Sequence, residues 1–122
     1  MEQYSLEDRM RIIQEIVPGK QITLAHIIAN PDKALYEKLG LDLKGDYKKS
    51  AIGIVTMSPA ESAIIAADIS LKSAGIEIAF IDRVSGTLVI TGTISDVDVA
   101  LKSLIYYCKE ELSFTICSVT KT

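Results

Sequence analysis

From residue 21 to 28 the chain alternates in strand fashion, with Ile22 and Leu24 separated by Gln21 and Thr23. Asn30-Pro31 then reads as an N-cap followed by proline at the first helical position. Ala34, Leu35, Lys38 and Leu39 continue a short helix, and Gly40 suits a left-handed stop. Residues 41–50 are polar around Gly45 and read as a loop. The apolar, β-branched run AIGIVTM at 51–57 has strand length. Ser58-Pro59-Ala60-Glu61 has the form of a capping box, in which Glu61 reaches back to the Ser58 amide. It opens a helix whose expected apolar stripe is Ala60, Ala63, Ile64, Ala67, Leu71 and Ala74, ended by Gly75.

Residues 76–82 alternate Ile76, Ile78 and Phe80 with Glu77 and Ala79, Arg83-Val84-Ser85-Gly86 carries turn chemistry, and 87–93 returns as a strand, so the pair reads as a hairpin. A second helix starts at Ser95-Asp96-Val97-Asp98, with carboxylates suited to its positive end and an apolar stripe of Val97, Leu101, Leu104, Cys108 and Leu112. Residues 114–119 close the chain as a strand. The order is β-α-β-α-β-β-α-β, a mixed α/β (α+β) class. From Ala51 onward it forms a ferredoxin-like β-α-β-β-α-β unit, with one strand and one helix prefixed and the helices mainly on one sheet face. Residues 1–19 form an N-terminal extension that fits two periods. Leu6, Met10, Ile13 and Val17 recur at helical spacing, while Ile12 and Ile16 alternate with Arg11, Gln14 and Glu15 as in a strand.

A length of 122 residues fits one domain, and 48% hydrophobic against 24% charged residues excludes a disordered chain. No apolar run is long enough to span a membrane. Glu2, Glu7 and Asp8 make the N-terminus acidic where a secretory signal would be basic, so a cytoplasmic protein is expected. A net charge of -3 argues against nucleic-acid binding by phosphate neutralisation. Mean hydropathy of +0.28 in so small a chain points to self-association.

Little catalytic chemistry is visible. Cys108 and Cys117 fit no disulfide framework or metal motif and read as small buried hydrophobes. His26, the single histidine, reads as a packed side chain with one hydrogen-bond partner. Asp82-Arg83 reads as a surface or interface ion pair, and Glu110-Glu111 as a solvated face. Gly75, Gly86 and Gly92 fall at element boundaries and form no phosphate loop. Neither a cofactor nor a metal site is indicated, and an enzyme is not expected.

The run Ala51-Ile52-Gly53-Ile54-Val55-Thr56, with Glu61-Ser62-Ala63-Ile64-Ile65-Ala66-Ala67-Asp68, Leu71-Lys72-Ser73-Ala74-Gly75-Ile76 and 82–92 (DRVSGTLVITG), resembles the bacterial microcompartment shell domain. The preceding segment 17–31, VPGKQITLAHIIANP, and the ending 117–122 resemble the circularly permuted shell proteins of the ethanolamine- and propanediol-utilisation type.

The resemblance implies a structural protein that forms cyclic homohexamers, flat or bent, tiling a polyhedral shell with other shell proteins. It further implies that Arg11-Ile12-Ile13-Gln14-Glu15-Ile16 is a strand, one of six in a parallel β-barrel over the central pore, which favours the strand period there. Residues 20–122 then form the permuted shell domain. Lys72 matches a lysine at hexamer edges, and Asn30 stands where unpermuted relatives carry an edge arginine before proline. Asp82, Arg83, Ser85 and Gly86 match a pore-facing turn. Targeting peptides of encapsulated enzymes are a further implied partner; nucleic acid and membrane are not. The alternative reading of the residues is a small ligand-binding or regulatory oligomer on a ferredoxin-like scaffold.

Overall fold

A strand covered on both faces needs apolar residues at nearly every position, and the run AIGIVTM at 51–57, with Thr56 its one polar residue, meets that requirement. In the computed structural model, which describes residues 19–41 and 51–122, this run is the central strand of a five-stranded sheet. The elements are β1 (Gln21–Ile28), α1 (Lys33–Leu39), β2 (Ala51–Ser58), α2 (Ser62–Ser73), β3 (Glu77–Asp82), β4 (Thr87–Gly92), α3 (Ile94–Glu110) and β5 (Thr120–Lys121). The sheet order is β3-β4-β2-β1-β5. All neighbours are antiparallel except β1 and β5, which are parallel.

Ala51, Val55 and Met57 of β2 join Leu88 and Ile90 of β4 beneath α2 and α3, forming the main core. Ile52 and Ile54 point to the opposite face, where Tyr36 of α1 and Val89 complete a smaller cluster. The expected bias of helices to one face holds: α2 and α3 share it, and α1 alone covers part of the other.

Two bulges alter the simple alternation. A register shift between Ile22 and Leu24 puts Ile22, Ala25 and Ile27 all on the main-core side and leaves Leu24 40% exposed. A second, between Ile78 and Phe80, leaves Phe80 and Ile81 both exposed, against the expectation that Phe80 continues the inward set.

The helix starts differ from those read off the sequence. Asp32, not Asn30, caps α1: its backbone is extended and its carboxylate accepts the Ala34 N–H at 2.9 Å. Gly40 takes the left-handed stop at φ 70°. The capping box before α2 does not form. Ser58 stays in the ladder opposite Gln21, and the carbonyls of Pro59, Ala60 and Glu61 accept the N–H groups of Ser62, Ala63 and Ile64. The backbone thus satisfies donors that a side-chain cap would have served. Thr93 caps α3 by accepting the Asp96 N–H at 3.0 Å, so this helix begins slightly before Ser95.

The apolar stripe of α3 is as expected at Val97, Leu101, Leu104 and Cys108, all fully buried, whereas Leu112 falls past the helix end at Glu110 and is half-buried. That of α2 is not. The helix turns Ser62, Ala63, Ala66, Ala67 and Ser70 inward, and Ile64 and Leu71 are half exposed. Small residues let α2 lie close to α3, so packing between the helices overrides the larger side chains' preference for burial.

The closing strand also departs from expectation. Only Thr120–Lys121 is regular strand, with an isolated bridge from Gln21 to Thr115. Residues 114–122 run along the outer edge of β1, held by Thr115 N–H to Lys20 O and Thr122 N–H to Ile27 O, both 2.9 Å. In a plain ferredoxin-like unit the last strand would sit beside β2; here β1 holds that place and the tail lies outside it.

Candidate functional site: the exposed face of α2, the β3–β4 turn and the β1 edge

Helical periodicity gathers Glu61, Ile64, Ile65, Asp68, Leu71 and Lys72 on the outer face of α2, all exposed. Ile64, Ile65 and Leu71 are 50%, 47% and 52% exposed, an apolar surface that the single chain leaves uncovered. Within it Lys72 Nζ donates to Asp68 Oδ2 at 2.8 Å, one turn back along the helix. That hydrogen bond, reinforced by the carboxylate's charge, raises the Lys72 ammonium above the ordinary lysine range. Asn30 is exposed in the bend between β1 and α1, and no hydrogen bond or ion pair joins it to Lys72.

Residues 83–86 form the β3–β4 turn, organised by Asp82. The carboxylate accepts the Val84 N–H at 2.9 Å, the Ser85 hydroxyl at 2.8 Å and the Ser85 N–H at 3.3 Å. These bonds, that from the Val84 amide foremost, hold the Asp82 carboxyl below its usual range. The expected Asp82–Arg83 ion pair is not formed: the turn's own donors occupy the carboxylate, and Arg83 is exposed. Gly86, at φ 80°, donates to Asp82 O and accepts the Met57 N–H, both at 2.8 Å. The turn is therefore tied down against β2, with Val84 at its tip 86% exposed.

At the opposite edge His26 has two partners where one was expected. Its Nδ1 lies 2.6 Å from Thr120 Oγ1 and its Nε2 2.9 Å from Thr122 Oγ1. Both hydroxyls belong to the tail, so the imidazole fastens it to β1. An open groove of about 690 Å³ runs between α3 and residues 116–119, lined by Ile105, Tyr106, Lys109 and Cys117 among others. Cys108 is buried in the main core, and its burial pushes the thiol up to about 11; Cys117 is half-buried and shifted the same way by the same cause.

The Arg11, Ile12, Ile13, Gln14, Glu15 and Ile16 segment and the loop at 42–50 lie outside the described residues. Sequence reasoning overlooked the pairing of Asp68 with Lys72, though their spacing of one helical turn was legible. It also overlooked the partners of His26, which only the tail's return to β1 brings close. Among the described residues no group of His, Cys, Asp and Glu could hold a metal ion, and no helix is long and apolar enough to cross a membrane.

The described residues form a layered, mixed sheet with a half-apolar helix face and an ordered turn. The BMC domain family model matches residues 51–119, and the chain belongs to that family, the bacterial microcompartment shell proteins. It is 52% identical over 122 residues to the shell protein PduU of Salmonella typhimurium (strain LT2), covering 100% of both chains. It is 47% identical over 115 residues to the shell protein EutS of Escherichia coli (strain K12), covering 94% of this chain and 99% of that one. Among solved structures it resembles a flat hexamer of CutR, with a TM-score of 0.80 and 46% identity over 87% of this chain and 94% of that one. The protein is a structural component of a microcompartment shell, not an enzyme.

Proposed function

We propose that the chain assembles into cyclic homohexamers that tile the shell edge to edge with other shell proteins, in the cytoplasm. The observation that carries this reading is the apolar surface left open by one copy. Ile64, Ile65 and Leu71 on α2, Phe80 and Ile81 on β3 and Val84 in the turn are each at least 40% exposed. Ring closure and the meeting of tiles at their edges cover such surface, and cyclic symmetry repeats each modest contact around the ring. The CutR flat hexamer, similar over most of the chain, supports it.

Within that tile, Lys72 and Asn30 lie at hexamer edges and Asp82, Arg83, Ser85 and Gly86 face the pore side. Residues 11–16 form the barrel over the pore, within an extension spanning 1–19 that precedes the shell domain of 20–122. The place of β1, between β2 and the tail, supports a circularly permuted order. The groove between α3 and the tail offers a docking place for targeting peptides of encapsulated enzymes.

Native mass spectrometry tests the assembly, with a dominant hexamer expected. A monomer or dimer at micromolar concentration overturns the tile. Removal of residues 1–17 should leave the hexamer intact and open its pore in a crystal structure; loss of the ring would refute the capping role.

A further inference from the structure

The Asp68–Lys72 pair has a property that a lone edge lysine lacks. Both side chains are well exposed, 61% and 75% respectively, on the open face of α2, and they stand four residues apart, about 6 Å along the helix axis. Identical rings that share an edge and face the same way are related there by a two-fold axis, which sets residue i of one copy against j of the other and j against i. A single cation near such an axis meets its own like charge. An acid and a base one helical turn apart are self-complementary instead, because two antiparallel α2 segments centred between them set each Lys72 against the other copy's Asp68. Leu71, beside the pair and 52% exposed, adds apolar contact at the same place.

We propose that Asp68 is the second half of the edge contact: the Asp68–Lys72 ion pair within each of two facing helices exchanges for a pair between copies when tiles meet, two for two. The occupant of this part of the α2 face is thus the same segment of a second copy. This inference rests on the edge role proposed above for Lys72. Exchange also explains how an ion pair weak within one exposed helix contributes to assembly, since two pairs form together in a contact that excludes water.

Full-length Lys72→Ala, Asp68→Lys, Lys72→Asp and the double variant Asp68→Lys/Lys72→Asp test it. Sheet assembly is followed by light scattering and electron microscopy, and ring integrity by native mass spectrometry. Asp68→Lys and Lys72→Asp alone each place like charges across the axis and should raise the concentration needed for assembly about tenfold. The double variant should restore it. The decisive measurement mixes preformed rings of Asp68→Lys with those of Lys72→Asp. Neither carries a pair within its helix, yet the two are complementary to one another and should co-assemble.

If Lys72→Ala assembles normally, the edge role fails and the exchange with it. If Lys72→Ala weakens assembly but the mixed rings stay apart, the edge role stands and the exchange is refuted, even if the double variant recovers. Should any single variant lose its ring, dissociation of wild-type sheets by salt with rings intact is expected. Salt-insensitive sheets would overturn the proposal.

Discussion

Replacing Gly86 by alanine should damage the fold far more than the same change at Gly40, although both glycines have positive φ. Gly40, at φ 70°, has nothing within 4 Å of a built Cβ, so its replacement incurs only the left-handed conformation, about 1 kcal/mol. At Gly86, φ 80°, the new Cβ would run into the Met57 carbonyl oxygen and lie 3.1 Å from the Ala60 Cα. Both obstacles are backbone, so neither can turn aside. Relief requires the turn to lift from β2, which breaks the 2.8 Å bond from the Met57 N–H to Gly86 O. An orphaned donor beside the buried Met57 adds about 1–3 kcal/mol to the conformational cost, and the displaced turn adds strain, for a total of roughly 3–5 kcal/mol. For a chain of this size that lowers Tm by roughly 10–20 °C, against about 4 °C for Gly40→Ala. Thermal melts at matched protomer concentration measure both, since assembly makes Tm depend on concentration. Equal shifts for the two variants would refute the reasoning, because φ alone would then account for Gly86.

Three further outcomes follow from the same structure. Gly53→Ala places a Cβ 2.9 Å from both Ile90 Cγ1 and Val97 Cγ1, beneath α3, and overpacking there should reduce stability by about 1–3 kcal/mol in melts; an unchanged Tm would show that the core yields freely. Ser70 is fully buried on α2 and its hydroxyl has no hydrogen-bond partner, so Ser70→Ala should stabilise by about 1 kcal/mol; a lower Tm would reveal a bond to that hydroxyl. The Asp82 carboxyl is held below its ordinary range, so its contribution to the turn is complete above that range and is lost as pH falls through its lowered value. Protection of the Val84 and Ser85 amides, taken relative to their intrinsic exchange rate at each pH, should fall in acid, and Asp82→Asn should abolish that pH dependence; protection that does not change with pH would contradict it.

The order of the elements, the hairpin and the buried stripe of α3 were legible because each is set by neighbours in sequence: alternation, turn residues and helical spacing. The apolar, β-branched run at 51–57 likewise announced a strand. The single histidine was equally plain, and it excludes a Ser-His or Cys-His pairing except through His26.

What the chain could not announce was every decision taken by a distant partner. The bulge at Ile22–Leu24 depends on β2, which the alternation of β1 alone does not contain. The inward face of α2 was misjudged because the close approach of α3 favours alanine and serine there, and hydrophobicity by itself favours isoleucine and leucine. The apolar side chains displaced outward are those that assembly would cover. The two threonines that grip His26 lie 94 and 96 residues further along the chain, and sequence reading gave no reason to bring them together. Local pattern determined which elements form, because their hydrogen bonds and periodicity lie within a few residues. Tertiary structure alone decided which faces are buried and which edge the tail occupies, because burial and pairing are properties of two surfaces at once.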